Sequence, residues 1–239
     1  VPISTALQSL DKTLNGGLPD GKLTVIVGQH SDEKSQLAAH LAAATLRSEK
    51  DVVVVSTEHH PEDFPARVEA ALLGTKQPAK KASVPAEKTR WRFHNQTLRQ
   101  FTPDQPTVQS VERYLRETVT PDTGLVVLSR LEELTNGGEP LLLDDDLLTD
   151  WLARVKVLLA ERNVPCVATT TEGAPGNTVE VIRQMADVVL SLVEQRDAID
   201  ANLRALRVLK GGLHDAVIPL GDVNLSLGLR PSGGSAHKR

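Results

Sequence analysis

Short apolar runs alternate along this chain with stretches of helical spacing. Val25-Ile26-Val27 ends in Gly28, four valines fill 52–55, Gly124 to Leu128 reads GLVVL, and Val164 to Thr169 and Val188 to Val193 repeat the theme. Such unbroken runs predict strands buried on both faces, the mark of a parallel sheet. Between them, helical faces are spelled by Leu37, Ala38, Leu41, Ala42 and Thr45, by Val108, Val111, Leu115 and Val119, and by Leu148, Trp151, Leu152, Val155, Leu158 and Leu159. Pro61 fits the first turn of another helix that stops near Gly74, and a short one is expected over Val181 to Met185. Leu7, Leu10 and Leu14 predict a short helix ahead of the Asn15-Gly16-Gly17 turn. Trp91 to His94 reads as a short strand, and Leu206 to Leu209 with Ala216 to Leu220 as a hairpin around Gly211-Gly212. The expected fold is α/β, with a mostly parallel central sheet, flanking helices and a C-terminal antiparallel hairpin.

At 239 residues without a composition break, one domain over 1–230 with one substantial core is expected, followed by a disordered tail over 231–239. Thr75 to Lys88 (TKQPAKKASVPAEK) reads as an exposed, mobile connection whose lysines, with Arg90 and Arg92, are read as solvated, the alternative being a nucleic-acid patch that makes DNA a weakly supported partner. A net charge of -4 argues against coating of nucleic acid by bulk charge and leaves a local basic channel open. One cysteine, Cys166 in an apolar run, excludes a disulfide framework and a cysteine-based zinc cluster and fits a reducing, cytoplasmic setting. No apolar run reaches membrane-spanning length, so no membrane partner is expected. Aromatic content of 3% leaves few platforms on which single-stranded bases could stack.

The candidate chemistry centres on Gly28-Gln29-His30-Ser31-Asp32-Glu33-Lys34-Ser35, which fits the phosphate-cradling pattern G-x-x-x-x-G-K-[ST] except at Glu33. In an intact loop, glycine backbone closes on phosphates, the lysine neutralises them and the hydroxyl holds magnesium. Glu33 brings a Cβ and a negative charge to the second glycine position, and both oppose nucleotide binding. Gly28, Lys34 and Ser35 are the expected nucleotide ligands, with Ser35 on Mg if the metal binds. His59 and His60 read as surface or loop residues, since adjacent side chains diverge and no third metal ligand is evident.

Taken in order, the segments resemble the RecA-like motor domain of DnaB-type hexameric replicative DNA helicases. ISTALQSLDKTLNGGLPDGKLTVIVG is similar to that family's approach to the phosphate loop, with its Leu-Asp pair and Gly-Gly-Leu turn. STEHHPEDFPAR resembles the second-strand motif and implies that Glu58 activates the attacking water. IRQMADVVLSL resembles the Gln-x-Ala-Asp-Val segment, keeping Gln184, Ala186 and Asp187. LRVLKGGLHDAVIPL resembles the hairpin that reaches a neighbouring subunit's nucleotide, which makes Lys210 a trans-acting candidate.

The same resemblance marks four departures, all on the chemistry. Glu33 replaces the loop glycine, Ser129 the magnesium-shell aspartate of the Walker B strand, Thr171 the phosphate-sensing glutamine, and Gly212 the arginine finger. Loss of a finger alone costs about 10³ or more in rate. The loop after the Walker B strand carries Glu132, Glu133, Glu139 and Asp144 to Asp146, acids that cap a helix or face solvent and do not grip DNA phosphates. The expected protein is a divergent member with weak or lost ATP hydrolysis, a binding or assembly module linked to DNA metabolism, with weakened ATP and Mg binding and a ring-like or filament-like homo-oligomer. The alternative is an active ATP-dependent DNA helicase or DNA-stimulated ATPase; a third reading is a regulatory ATPase of the related clock-protein or recombinase branches.

Overall fold

The computed structural model describes residues 2–29, 31–56, 62–74, 88–93, 96–103, 107–136, 139–140, 144–172, 178–195, 203–213 and 216–220. The expected site residue Glu58, the histidines His59 and His60, Pro61, most of the basic connection and the 231–239 tail lie outside these residues. The described elements are α1 (Gln8–Thr13), β1 (Leu23–Gly28), α2 (Ser31–Arg47), β2 (Asp51–Val55), α3 (Asp63–Leu73), β3 (Lys88–Phe93), β4 (Gln96–Phe101) and α4 (Val108–Thr118). They continue with β5 (Thr123–Leu128), the two-residue pair β6 (Thr135–Asn136) and β7 (Glu139–Pro140), and α5 (Asp145–Arg162). The chain closes with β8 (Cys166–Thr171), α6 (Thr178–Met185), β9 (Val188–Gln195), β10 (Leu203–Lys210) and β11 (Ala216–Pro219).

Nine described strands form one sheet in the order β11-β10-β9-β1-β8-β5-β2-β4-β3. From β9 to β4 every neighbouring pair is parallel, and β10, β11 and β3 add antiparallel edges. The valine runs are explained by how they divide. Ile26, Val52, Val54, Leu125, Val127 and Val167 join one apolar cluster with α1, α2 and α3. Val25, Val27, Val53, Val55, Val126, Leu128, Cys166 and Ala168 join a second with α4, α5 and α6. Successive strand residues point to opposite faces, so a strand covered on both sides has no solvent-facing set of alternating residues. The one core expected from the sequence is therefore divided into two layers, one on each face of the sheet.

Several termini follow local rules. Asn163 caps α5 in the left-handed conformation (φ 55°), and Gly74 does the same for α3 (φ 65°). Asp144 accepts the Leu147 amide at 3.0 Å, which makes part of the acidic run a helix cap. Three features differ from expectation. The short strand at Trp91 is one arm of a β3–β4 hairpin, and β4 was hidden because only Leu98 and Phe101 of QTLRQF are apolar. The long loop after β5 holds a 3₁₀ turn over Leu131–Glu133 and the β6–β7 pair. Helix α2 is not one-faced, since Ala39, Ala43, Ala44 and Leu46 are buried with the expected stripe where α2 packs between the sheet and α3.

That burial gives α2 a pH response. His40 is buried, and its pKa is held below the usual histidine value by burial and by the Arg47 guanidinium, against the opposing pull of the Thr5 backbone. The unfolded chain binds a proton near the ordinary value of about 6.5, whereas the folded chain resists it. Stability is thus full above that value and falls as pH drops through it. Urea titrations at pH 7.5 and 5.5 are expected to show this loss in the native chain and a smaller one in His40→Leu; equal losses would contradict it.

Candidate functional site

Ligands of open α/β sheets gather at the carboxyl ends of parallel strands, and here three such ends converge. Gly28 of β1 lies in register with Thr171 of β8, and Leu128 of β5 with Ala168. The segment that leaves β1 enters α2 at Ser31, which puts Lys34 and Ser35 in the first turns of that helix. Gly28 fits closely, since a Cβ there would lie 3.1 Å from Leu192 Cβ.

Lys34 is fully buried, at 0% exposure. Its Nζ donates to the Gly28 carbonyl at 2.8 Å and to Thr171 Oγ1 at 3.3 Å. Burial pushes its pKa below the usual lysine range. The Glu132 carboxylate opposes that shift, the Arg130 guanidinium adds to it, and Glu33 and Glu172 oppose it. Ser35 is buried beside it, and Glu33 is partly exposed. The loop carbonyl and the β8 hydroxyl thus hold the lysine amine as a fixed positive charge at the sheet edge.

The segment after β5 supplies the opposite charge. Ser129 is buried, and its amide bonds to the Val55 carbonyl at 2.9 Å, which continues the ladder one residue beyond β5. Arg130 then adopts a left-handed conformation (φ 58°), unusual for a side chain of this size. Its amide donates to Thr169 Oγ1 at 2.8 Å, and its guanidinium pairs with Glu133. This reversal starts the 3₁₀ turn, anchored by buried Leu131 and Leu134, that brings Glu132 back to the site. Thr171 Oγ1 donates to Glu132 Oε1 at 2.6 Å. Glu132 Oε2 is buried with no hydrogen-bond partner among the described residues. An orphaned carboxylate oxygen beside a buried lysine fits a divalent cation, because a cation would satisfy it.

The structure therefore brings together Gly28, Lys34, Ser35 and Thr171, with Ser129 at the adjoining strand end. Glu132 was missed as a site residue because an acid in an acidic loop looks solvated; the turn at Arg130 aims it inward. Two acids of the family-like motifs serve the framework instead. Asp187 Oδ2 accepts the Leu23 amide at 2.9 Å, and Oδ1 pairs with Lys156 at 3.1 Å, which pins the start of β1. Asp11 accepts from Thr5 N at 2.8 Å, Thr5 Oγ1 at 2.6 Å and Ser4 Oγ at 2.7 Å, which ties the N-terminal segment to α1. Lys210, on the hairpin, donates to the Arg183 and Gln184 carbonyls at 3.2 and 2.9 Å, near the end of α6. Gly212 follows β10 in the hairpin turn. Cys166 is a free, fully buried thiol whose pKa is pushed up by burial, which makes it unreactive. No helix among the described residues is long and apolar enough to cross a membrane.

A family model described as "AAA domain" matches residues 3–170, more than half of the chain, from the Ile3 segment through β8. Protein RecA of Synechocystis sp. (strain ATCC 27184 / PCC 6803 / Kazusa) is 42% identical over 57 residues, which are 24% of this chain and 16% of that protein's length. The match thus spans a small part of that relative. The fold is the RecA-like P-loop α/β fold, and the β10–β11 hairpin lies outside the residues matched by the family model.

Proposed function

Because this chain belongs to the AAA domain family, we propose that it is a RecA-like nucleotide-binding protein of the DnaB-helicase type with weak or lost ATP hydrolysis. It acts as a binding and assembly module linked to DNA metabolism. The observation that carries this reading is the fully buried Lys34 amine held on Gly28 O and Thr171 at the sheet edge, beside a strand end where serine stands for a carboxylate. The cation that binds phosphate is kept, and groups that drive turnover are replaced. Gly28, Lys34 and Ser35 would hold the phosphates of ATP and the Ser35 hydroxyl its Mg²⁺, which when bound neutralises phosphate charge. Fast hydrolysis also needs a positioned water and a finger, and Thr171 and Gly212 provide neither a glutamine sensor nor a guanidinium.

Glu33 weakens binding in this reading, because its carboxylate acts on the same field as Lys34. Glu33→Gly is expected to tighten ATP binding about tenfold, some 1.4 kcal/mol, by calorimetric titration. Phosphate release should stay about 10³-fold below that of a motor with its finger. An unchanged affinity would contradict the assigned role of Glu33. Rapid DNA-stimulated phosphate release by the native chain, abolished by Lys34→Ala, would replace this reading with the active helicase.

A further inference from the structure

We propose that Glu132 is the carboxylate that holds the divalent cation of a bound nucleotide, the role that Ser129 cannot fill. The inference rests on the reading of the chain as a nucleotide binder and assigns a residue to its metal. Ser129, at the strand end, has a hydroxyl and no charge. Three residues later the chain has reversed at Arg130, and Glu132 stands at the same edge in a turn fixed from both sides: the Arg130 amide on Thr169 and the buried Leu131 and Leu134.

The hydrogen bonds divide the carboxylate into a held oxygen and an open one. The Thr171 hydroxyl accepts from Lys34 and gives its proton to Glu132 Oε1. Oε2 is buried without a partner among the described residues. An unsatisfied buried carboxylate oxygen is costly and calls for a donor or a cation. Lys34 does not supply it, since no ion pair among the described residues joins the two side chains. The charges make the same demand. A polyphosphate drawn to Lys34 enters the field of Glu132, which repels it unless a divalent cation lies between them. Magnesium is held through one or two carboxylates plus substrate phosphates, so a single carboxylate such as Glu132 is enough. One consequence separates this role from simple repulsion: Glu132 opposes nucleotide without metal and favours it with metal.

The test is calorimetric titration of the full chain with ADP, in excess Mg²⁺ and in EDTA, for the native chain, Glu132→Gln and Glu132→Asp. Mn²⁺ replaces Mg²⁺ for an EPR spectrum of each ADP complex. Glutamine keeps an acceptor for Thr171, and thermal melts check that each variant is folded. The native chain is expected to bind ADP about tenfold or more tighter with metal than without. In Glu132→Gln that ratio should fall toward one, and bound Mn²⁺ should be lost from the EPR spectrum; Glu132→Asp should keep part of both. An unchanged ratio in a folded Glu132→Gln would overturn this inference and leave the nucleotide-binding reading standing. Tighter ADP in both conditions would also overturn it, because the carboxylate would then be only a competitor of phosphate. Failure of the native chain to bind ADP in either condition would overturn both.

Discussion

Lys34→Met is expected to give a protein that melts higher and binds nucleotide on the order of 100-fold more weakly, about 2.7 kcal/mol. The two effects share one cause. Lys34 is at 0% exposure, and burial is the largest influence on its ammonium, enough to push the pKa down despite Glu132. A charge withdrawn from water costs stability unless its partners compensate fully, and the fall in the Lys34 pKa shows that Glu132 does not compensate fully. Methionine fills a similar volume and leaves the neighbouring hydrogen bonds in place. Gly28 O keeps the Glu172 amide at 3.3 Å, and the Thr171 hydroxyl keeps Glu132 at 2.6 Å. A gain of about 1 kcal/mol raises Tm by about 2–4 °C in a chain of this size. Differential scanning calorimetry checks the gain, and calorimetric titration with ATP the loss. A lower Tm with unchanged binding would show that Lys34 is a structural lysine.

The second large effect is on the N-terminal turn. Gly17→Ala is expected to lose about 3 kcal/mol, which lowers Tm by about 6–12 °C. A Cβ at Gly17 would stand 2.1 Å from the Ile3 carbonyl oxygen and 2.7 Å from its carbon, on a backbone with φ +128°. Those atoms belong to the bridge between Ile3 and Leu18, whose two hydrogen bonds measure 3.1 and 2.8 Å. The substitution must break this bridge, at about 1 kcal/mol per bond, and strain a conformation that side chains avoid, at about 1–3 kcal/mol. Gly74→Ala is the control, with φ +65° and nothing within 4 Å of its Cβ; it should cost about 1 kcal/mol. If both variants melt alike, the contact at Ile3 is not what fixes the turn.

Gly17 also shows why the fold could be read before the site. Backbone requirements leave firm marks: a glycine where a Cβ would strike Ile3, valines unbroken where both sheet faces are covered, Asn163 where a helix ends left-handed. Asp11 and Asp187 belong to the same class, since the motifs that carry them tie α1 and β1 into place. Elements held by mixed contacts were less legible. In β4 the Thr97 amide and Arg99 are satisfied by Asp51, at 2.8 and 3.2 Å, a pairing 46 and 48 residues away that no local pattern announces. The site divides likewise. Gly28, Lys34 and Ser35 follow from spacing along one loop, whereas Glu132 enters only because Arg130 reverses the chain.

The most direct test of the central claim is one calorimetric experiment, in which ATP with Mg²⁺ is titrated into the native chain and single-stranded DNA is then added. The expected record is saturable, magnesium-dependent heat with a dissociation constant on the order of 100 μM, about −5.5 kcal/mol, and no sustained heat of hydrolysis before or after DNA. Continuous hydrolytic heat that rises with DNA would contradict the account and identify a working motor. Absence of binding heat at millimolar ATP would contradict it from the other side, leaving a scaffold with a nucleotide fold and no nucleotide.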